Sequence, residues 1–288
     1  MMRLRVVLIA VLPLAAFAQT ANRPEEQIES ETATRIEGLD EKFGVLMEPT
    51  ESGKLWGEAC GHVGCHTAAP GVREEAERAG VERDKAMDAV ASQIHREIDA
   101  YIGRAVRPDR FEPAAVVQSV KRILGKTAWG PTSAFVISVG DTPSLVVAYT
   151  LSKGGRMGAG TTSVTVRLYA VAEGSFRLVA SAGGDMDGCA DVSLVQLHSP
   201  IPSQMWVLLT GRLTGANGPH NEMQVYAYDG ARFRSVWADD HWGDFTVLAT
   251  DRGFTVEGPY YTAASGIDGG VRHDVYYLAE DGVHRVSP

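Results

Sequence analysis

One segment occurs three times in this chain and limits what it can fold into. Tyr169 is followed seven residues later by Phe176-Arg177, Tyr226 by Phe233-Arg234 at the same interval, and Tyr277 by His284-Arg285. A Gly lies inside each copy (Gly174, Gly230, Gly282), directly after Glu173, Asp229 or Asp281. An acidic residue and a Gly between two alternating apolar runs mark a tight hairpin, because Gly adopts the positive φ that such turns require. Three copies of one hairpin imply three copies of a larger unit, and an internal repeat sets the architecture before any single residue does.

Alternating apolar residues around each hairpin predict four strands per unit. The expected strands are 134–139, 145–151, 164–171 and 176–180 in the first unit. They are 192–197, 206–213, 223–228 and 233–237 in the second, and 245–249, 254–261, 273–278 and 283–286 in the third. The units, at about 133–181, 190–238 and 244–288, are roughly fifty residues apart, the length of a propeller blade. Upstream, Ala, Glu and Arg dominate and the period changes to that of a helix. Met87, Val90, Ile94, Ile98 and Tyr101 mark one apolar face of a helix over 72–104, with Gly80 as a candidate interruption. A second helix is expected over 113–124, and another over 25–39 within the acidic stretch. The expected fold is mainly β with an N-terminal helical region: three four-stranded antiparallel blade-like repeats forming a partial β-propeller, with β-trefoil and β-prism as alternatives.

Residues 1–18 combine Arg3 and Arg5, an apolar run from Val6 to Phe17 and small residues before a cut after Ala18, which is the pattern of a secretory signal peptide. The divisions expected after it are an acidic linker and helix over 19–45, a helical region with a Cys/His cluster over 46–126, and the β domain over 127–288. The apolar run is short for a membrane span and no later run is longer. The expectation is therefore a periplasmic or extracellular protein without a transmembrane segment after cleavage. Its formal charge of −9 becomes −11 when Arg3 and Arg5 leave with the leader, which makes nucleic acid a poor partner.

In a meander, alternate connections fall on opposite edges. Connections after the second and fourth strands of each unit then share one rim, and these are Gly- and Asp-rich. They carry His220, Asn221, Asp239, Asp240, His241 and Asp268 as candidate ligand contacts. The run Asp185-x-Asp187-Gly188-x-x-Asp191 before Val192-Ser193-Leu194 resembles the calcium loop of FG-GAP or VCBS-type propeller repeats, with Gly183 where that family places its first Asp. The resemblance implies Ca2+ at Asp185, Asp187 and Asp191. An acidic turn bonding its own backbone is the alternative.

A second resemblance lies in 53–66, where Gly53, Leu55 and Trp56 precede Cys60, Cys65 and His66. This segment is similar to a cytochrome c haem-attachment site with wide Cys spacing. It implies thioether links at Cys60 and Cys65, His66 as proximal ligand, and Met87 as distal ligand ahead of His95 and Met47. A Cys60–Cys65 disulfide, or a pairing of either with Cys189, are the competing readings. No hydrolase elbow, zinc-protease or phosphate-loop motif occurs. The leading functional expectation is a secreted, non-catalytic binding or scaffold protein whose rim takes a protein, glycan or small ligand. The alternatives are a periplasmic electron carrier with one haem c and a glycan-binding trefoil or prism.

Overall fold

A computed structural model of the chain describes residues 24–46, 54, 71–125, 134–139, 144–152, 162–186, 191–215, 218–262 and 267–286. Helix α1 (Pro24–Leu46) runs past the expected end because Glu41 and Lys42 continue a helix-favouring composition. Helix α2 (Val72–Ala105) passes through Gly80 without a break, carried by Glu, Arg, Ala and Lys on both sides. Helix α3 (Pro113–Leu124) has the expected bounds. Pro113 opens it, where a missing N–H costs nothing, and Gly125 closes it by donating to Lys121 O.

The β region is three open sheets, each a four-stranded antiparallel meander. The first is β1 (Ala134–Val139), β2 (Ser144–Ser152), β3 (Thr162–Ala172) and β4 (Ser175–Met186). The second is β5 (Asp191–Leu197), β6 (Met205–Gly215), β7 (Gly218–Tyr228) and β8 (Phe233–Trp242). The third is β9 (Thr246–Thr250), β10 (Gly253–Thr262), β11 (Ile267–Ala279) and β12 (Gly282–Val286). No strand of one sheet pairs with a strand of another among the described residues, so no barrel closes.

The sheets stack face to face in chain order, with the helices against the first. On β2, Leu145, Val147, Tyr149 and Leu151 join the helical core, while Val146 and Ala148 face the second sheet. On β6, Val207 and Leu209 face the first sheet, and Trp206 and Leu208 face the third. Burial on both faces is why these strands read as continuous apolar runs instead of alternating ones. Phe254, Val256 and Tyr276 return the contact from the third sheet. Its outer face stays open, with Leu248, Tyr277 and Val286 exposed. The first strands draw together at one side of the stack, β1 against β5 and β5 against β9.

The repeat carries one phase error. Tyr169 and Tyr226 both point toward the preceding layer, the helices and the first sheet respectively. Tyr277 points the other way, to solvent, and its neighbour Tyr276 takes the equivalent inward place. The first two units carry a bulge in the last hairpin, at Leu168/Tyr169 and Val225/Tyr226, and the third does not. The turns differ as well. Glu173-Gly174 form a two-residue turn with both φ positive, whereas Glu280-Asp281 form the third turn and Gly282 already belongs to β12. Because side chains alternate across a sheet, a one-residue offset reverses the face.

Candidate functional site

The rim residues lie on strands, not loops. The β6–β7 connection is only residues 216–217, and His220 and Asn221 sit inside β7 opposite Trp242 and His241. Asp239, Asp240 and His241 belong to β8, and Asp268 to β11 opposite Tyr261. The Gly- and Asn-rich composition suggests a loop, but cross-strand pairing continues through it and lengthens the hairpin. Strand alternation then separates the candidates. Asn221, Asp239 and His241 share the face toward the third sheet with Met223, while His220 and Asp240 share the opposite face.

The first group is locked in place by the third sheet. His241 Nδ1 lies 2.6 Å from Arg272 Nη1, and its Nε2 lies 2.8 Å from Asp239 Oδ2. A guanidinium only donates, so His241 Nδ1 accepts and the ring proton sits on Nε2, facing Asp239. Tyr276 Oη donates to Asp239, and Arg272 and Arg285 both contact Asp274, which is 3% exposed. Burial, and then the Asp239 charge, push the Tyr276 hydroxyl up to about 12. Burial also raises the Asp239 carboxyl, but the His241, Asp240 and Tyr276 donors outweigh it and hold that carboxyl below its usual range. Asn221 Nδ2 donates to Gly243 O at 2.5 Å. Arg272 and Tyr276 reach from the third sheet to His241 and Asp239, so the cluster clamps the second sheet to the third, while His241 Nε2 and Asp274 Oδ2 are buried without a hydrogen bond among the described residues. On the other face, His220 Nε2 lies 3.3 Å from Asp240 Oδ2.

A second polar network, not expected from the sequence, joins α2 to the first sheet. Asp99 accepts two bonds from Arg167, at 2.8 and 2.5 Å, and a third from Tyr169 Oη at 2.7 Å. His95 Nδ1 lies 2.7 Å from Tyr149 Oη. Burial and the nearby Arg167 charge lower His95 to about 4, and burial raises Tyr149 far above the phenol range. One sequence signal for this site existed. Arg167 is the one charged residue of β3, and it lies on the side that faces the helices.

A cavity of about 1190 Å³ lies on the edge opposite the rim. It opens where Ser144 and Leu168 of the first sheet, the His198–Gln204 connection of the second and the Ala249–Asp251 turn of the third meet. Leu197, Met205 and Tyr228 also line it, and among the described residues Asp251 is its one carboxylate and His198 its one imidazole. A smaller cavity of about 750 Å³ at the helix ends holds several Arg and Glu side chains. There Arg110 is bound to Glu25 and Arg122 to Glu29, so those charges neutralise one another.

Of the Ca2+ candidates, Asp191 is exposed at the first position of β5, Asp185 lies in β4 opposite Ser163, and Asp187 lies outside the described residues. Cys60, Cys65 and His66 also lie outside them. Met87 is 5% exposed and packs in the core shared by the helices and the first sheet. No protein-family model matches the chain, and no curated protein matches it.

Proposed function

We propose that this chain is a non-catalytic binding module, exported by its N-terminal leader, in which three blade-like sheets form an open propeller-type arc. Convergence of the first strands and face-to-face stacking in chain order support the arc, since inner strands meet in the same way around a propeller axis. The ligand enters the groove on the turn-side edge. One observation carries this reading: residues from all three sheets line one concave surface of about 1190 Å³ that carries polar side chains beside apolar ones. The acid and base clusters of the rim and of the α2 junction are tied into contacts between layers, which favours an architectural role for both. Neither offers a poised proton acceptor beside open space.

A thermal-shift screen of the full chain against sugars, peptides and small metabolites tests this reading. Ala249 lines the groove and is exposed, so Ala249→Trp fills it while leaving the stacked cores intact. A binder that stabilises the natural chain should lose its effect on Ala249→Trp. Binders that stabilise both proteins equally would move the site away from the groove.

A further inference from the structure

The geometry points to a neutral saccharide as the occupant of this groove, an inference that rests on the binding reading above. Gln196 and Gln204 each present a donor and an acceptor on one side chain, and the hydroxyls of Ser144, Ser203 and Thr250 do both at one atom. Groups that donate and accept side by side fit ligand groups of the same kind, and sugar hydroxyls are such groups. A polyanion would need cations here, and a metal ion would need several carboxylates. Among the described residues the lining holds one carboxylate, Asp251, and no Lys or Arg.

The apolar part of the groove agrees with this chemistry. Met205 and the Tyr228 ring, half-buried on the side of the second sheet that faces the first, add an apolar surface to the groove, which suits the C–H face of a pyranose. Tyr228 Oη is turned away to Gly230 O at 2.9 Å, so the ring contributes surface and not its hydroxyl. The space of about 1190 Å³ exceeds what one monosaccharide fills and matches a short oligosaccharide. A reporter is also built in. Trp206, 1% exposed, donates its indole N–H to Gln204 Oε1 at 3.1 Å, so a ligand competing for the Gln204 amide perturbs the indole.

The test is a titration of the full chain, read by tryptophan emission and by calorimetry. The probes are neutral hexasaccharides (cello-, xylo- and chito-series), a carboxylated polysaccharide and an uncharged peptide. At least one neutral hexasaccharide should bind with little dependence on salt. Gln196→Ala and Gln204→Ala should each weaken it about three- to tenfold, the scale of one lost hydrogen bond. Ala249→Trp should abolish it. If the charged polysaccharide or the peptide binds alone and Ala249→Trp blocks it, the groove stands and the saccharide assignment falls. If a neutral hexasaccharide binds equally to Ala249→Trp, the groove itself is wrong. No binding by any neutral hexasaccharide overturns the proposal.

Discussion

At the scale of single residues, the junction of α2 with the first sheet depends on one carboxylate. Arg167 is 7% exposed and donates two hydrogen bonds to Asp99. Removing the Asp99 charge leaves a buried cation without compensation, which costs about 3–5 kcal/mol. Asp99→Asn should therefore lower the urea midpoint strongly, and a further Arg167→Met should recover much of the loss. His95 adds a pH dependence of known sign. Its folded value of about 4 lies below the ordinary 6.5, so the unfolded chain takes up a proton first as the solution is acidified. Its contribution is fully present above about pH 6.5 and is lost as pH falls toward 4, a change of about 3 kcal/mol. Urea titrations between pH 7 and 4 should show a shallower fall for His95→Gln than for the natural chain. Equal slopes would mean that His95 is not held neutral by its surroundings. The sequence shows Ile94 and Ile98 as core because helical spacing marks them. It does not show Asp99 as a partner, since a polar residue beside an apolar stripe looks the same whether it meets solvent or a guanidinium.

At the scale of elements, strand existence was legible because alternation and turn residues agree along each unit. Phase was not legible, because it depends on turn length and on bulges that leave no clear mark in composition. Tyr277 fits the repeat by sequence, yet Tyr276 occupies the buried position, stacked on Phe254 at 4.8 Å and edge-on to Trp237 at 5.1 Å. Truncating a buried aromatic costs about 3–5 kcal/mol. Tyr276→Ala should approach that figure in chemical denaturation, and Tyr277→Ala, 43% exposed and stacked only on His284, should cost less than about 1 kcal/mol. A reversed ranking would restore the phase that the repeat suggests. The rim was misjudged for a related reason. Gly218, Asn221 and Asp240 are turn-favouring residues, but pairing between β7 and β8 extends through Trp242 and settles them as strand. The groove was hidden altogether, because Ser144, Gln204 and Thr250 are far apart in sequence and only sheet stacking brings them together.

At the scale of the whole molecule, the account rests on an ordered stack: helices, first sheet, second sheet, third sheet. The first and second sheets each divide their side chains between two neighbours and the third covers one face only, which is how the described strands bury apolar residues without closing a barrel. The groove and both polar clamps follow from that order, because each lies where two or three layers meet. Methyl NOEs in solution test the order most directly. The methyls of Val146, Val164 and Val166 should contact those of Val192, Leu194 and Leu209, and those of Leu208 and Val225 should contact Val256. Leu145 and Val147 should contact only helical methyls such as Ile94, Ile98 and Ile123, apart from their own sheet. NOEs joining the first sheet directly to Val256, or Leu145 to the second sheet, would contradict the stack and the groove built on it.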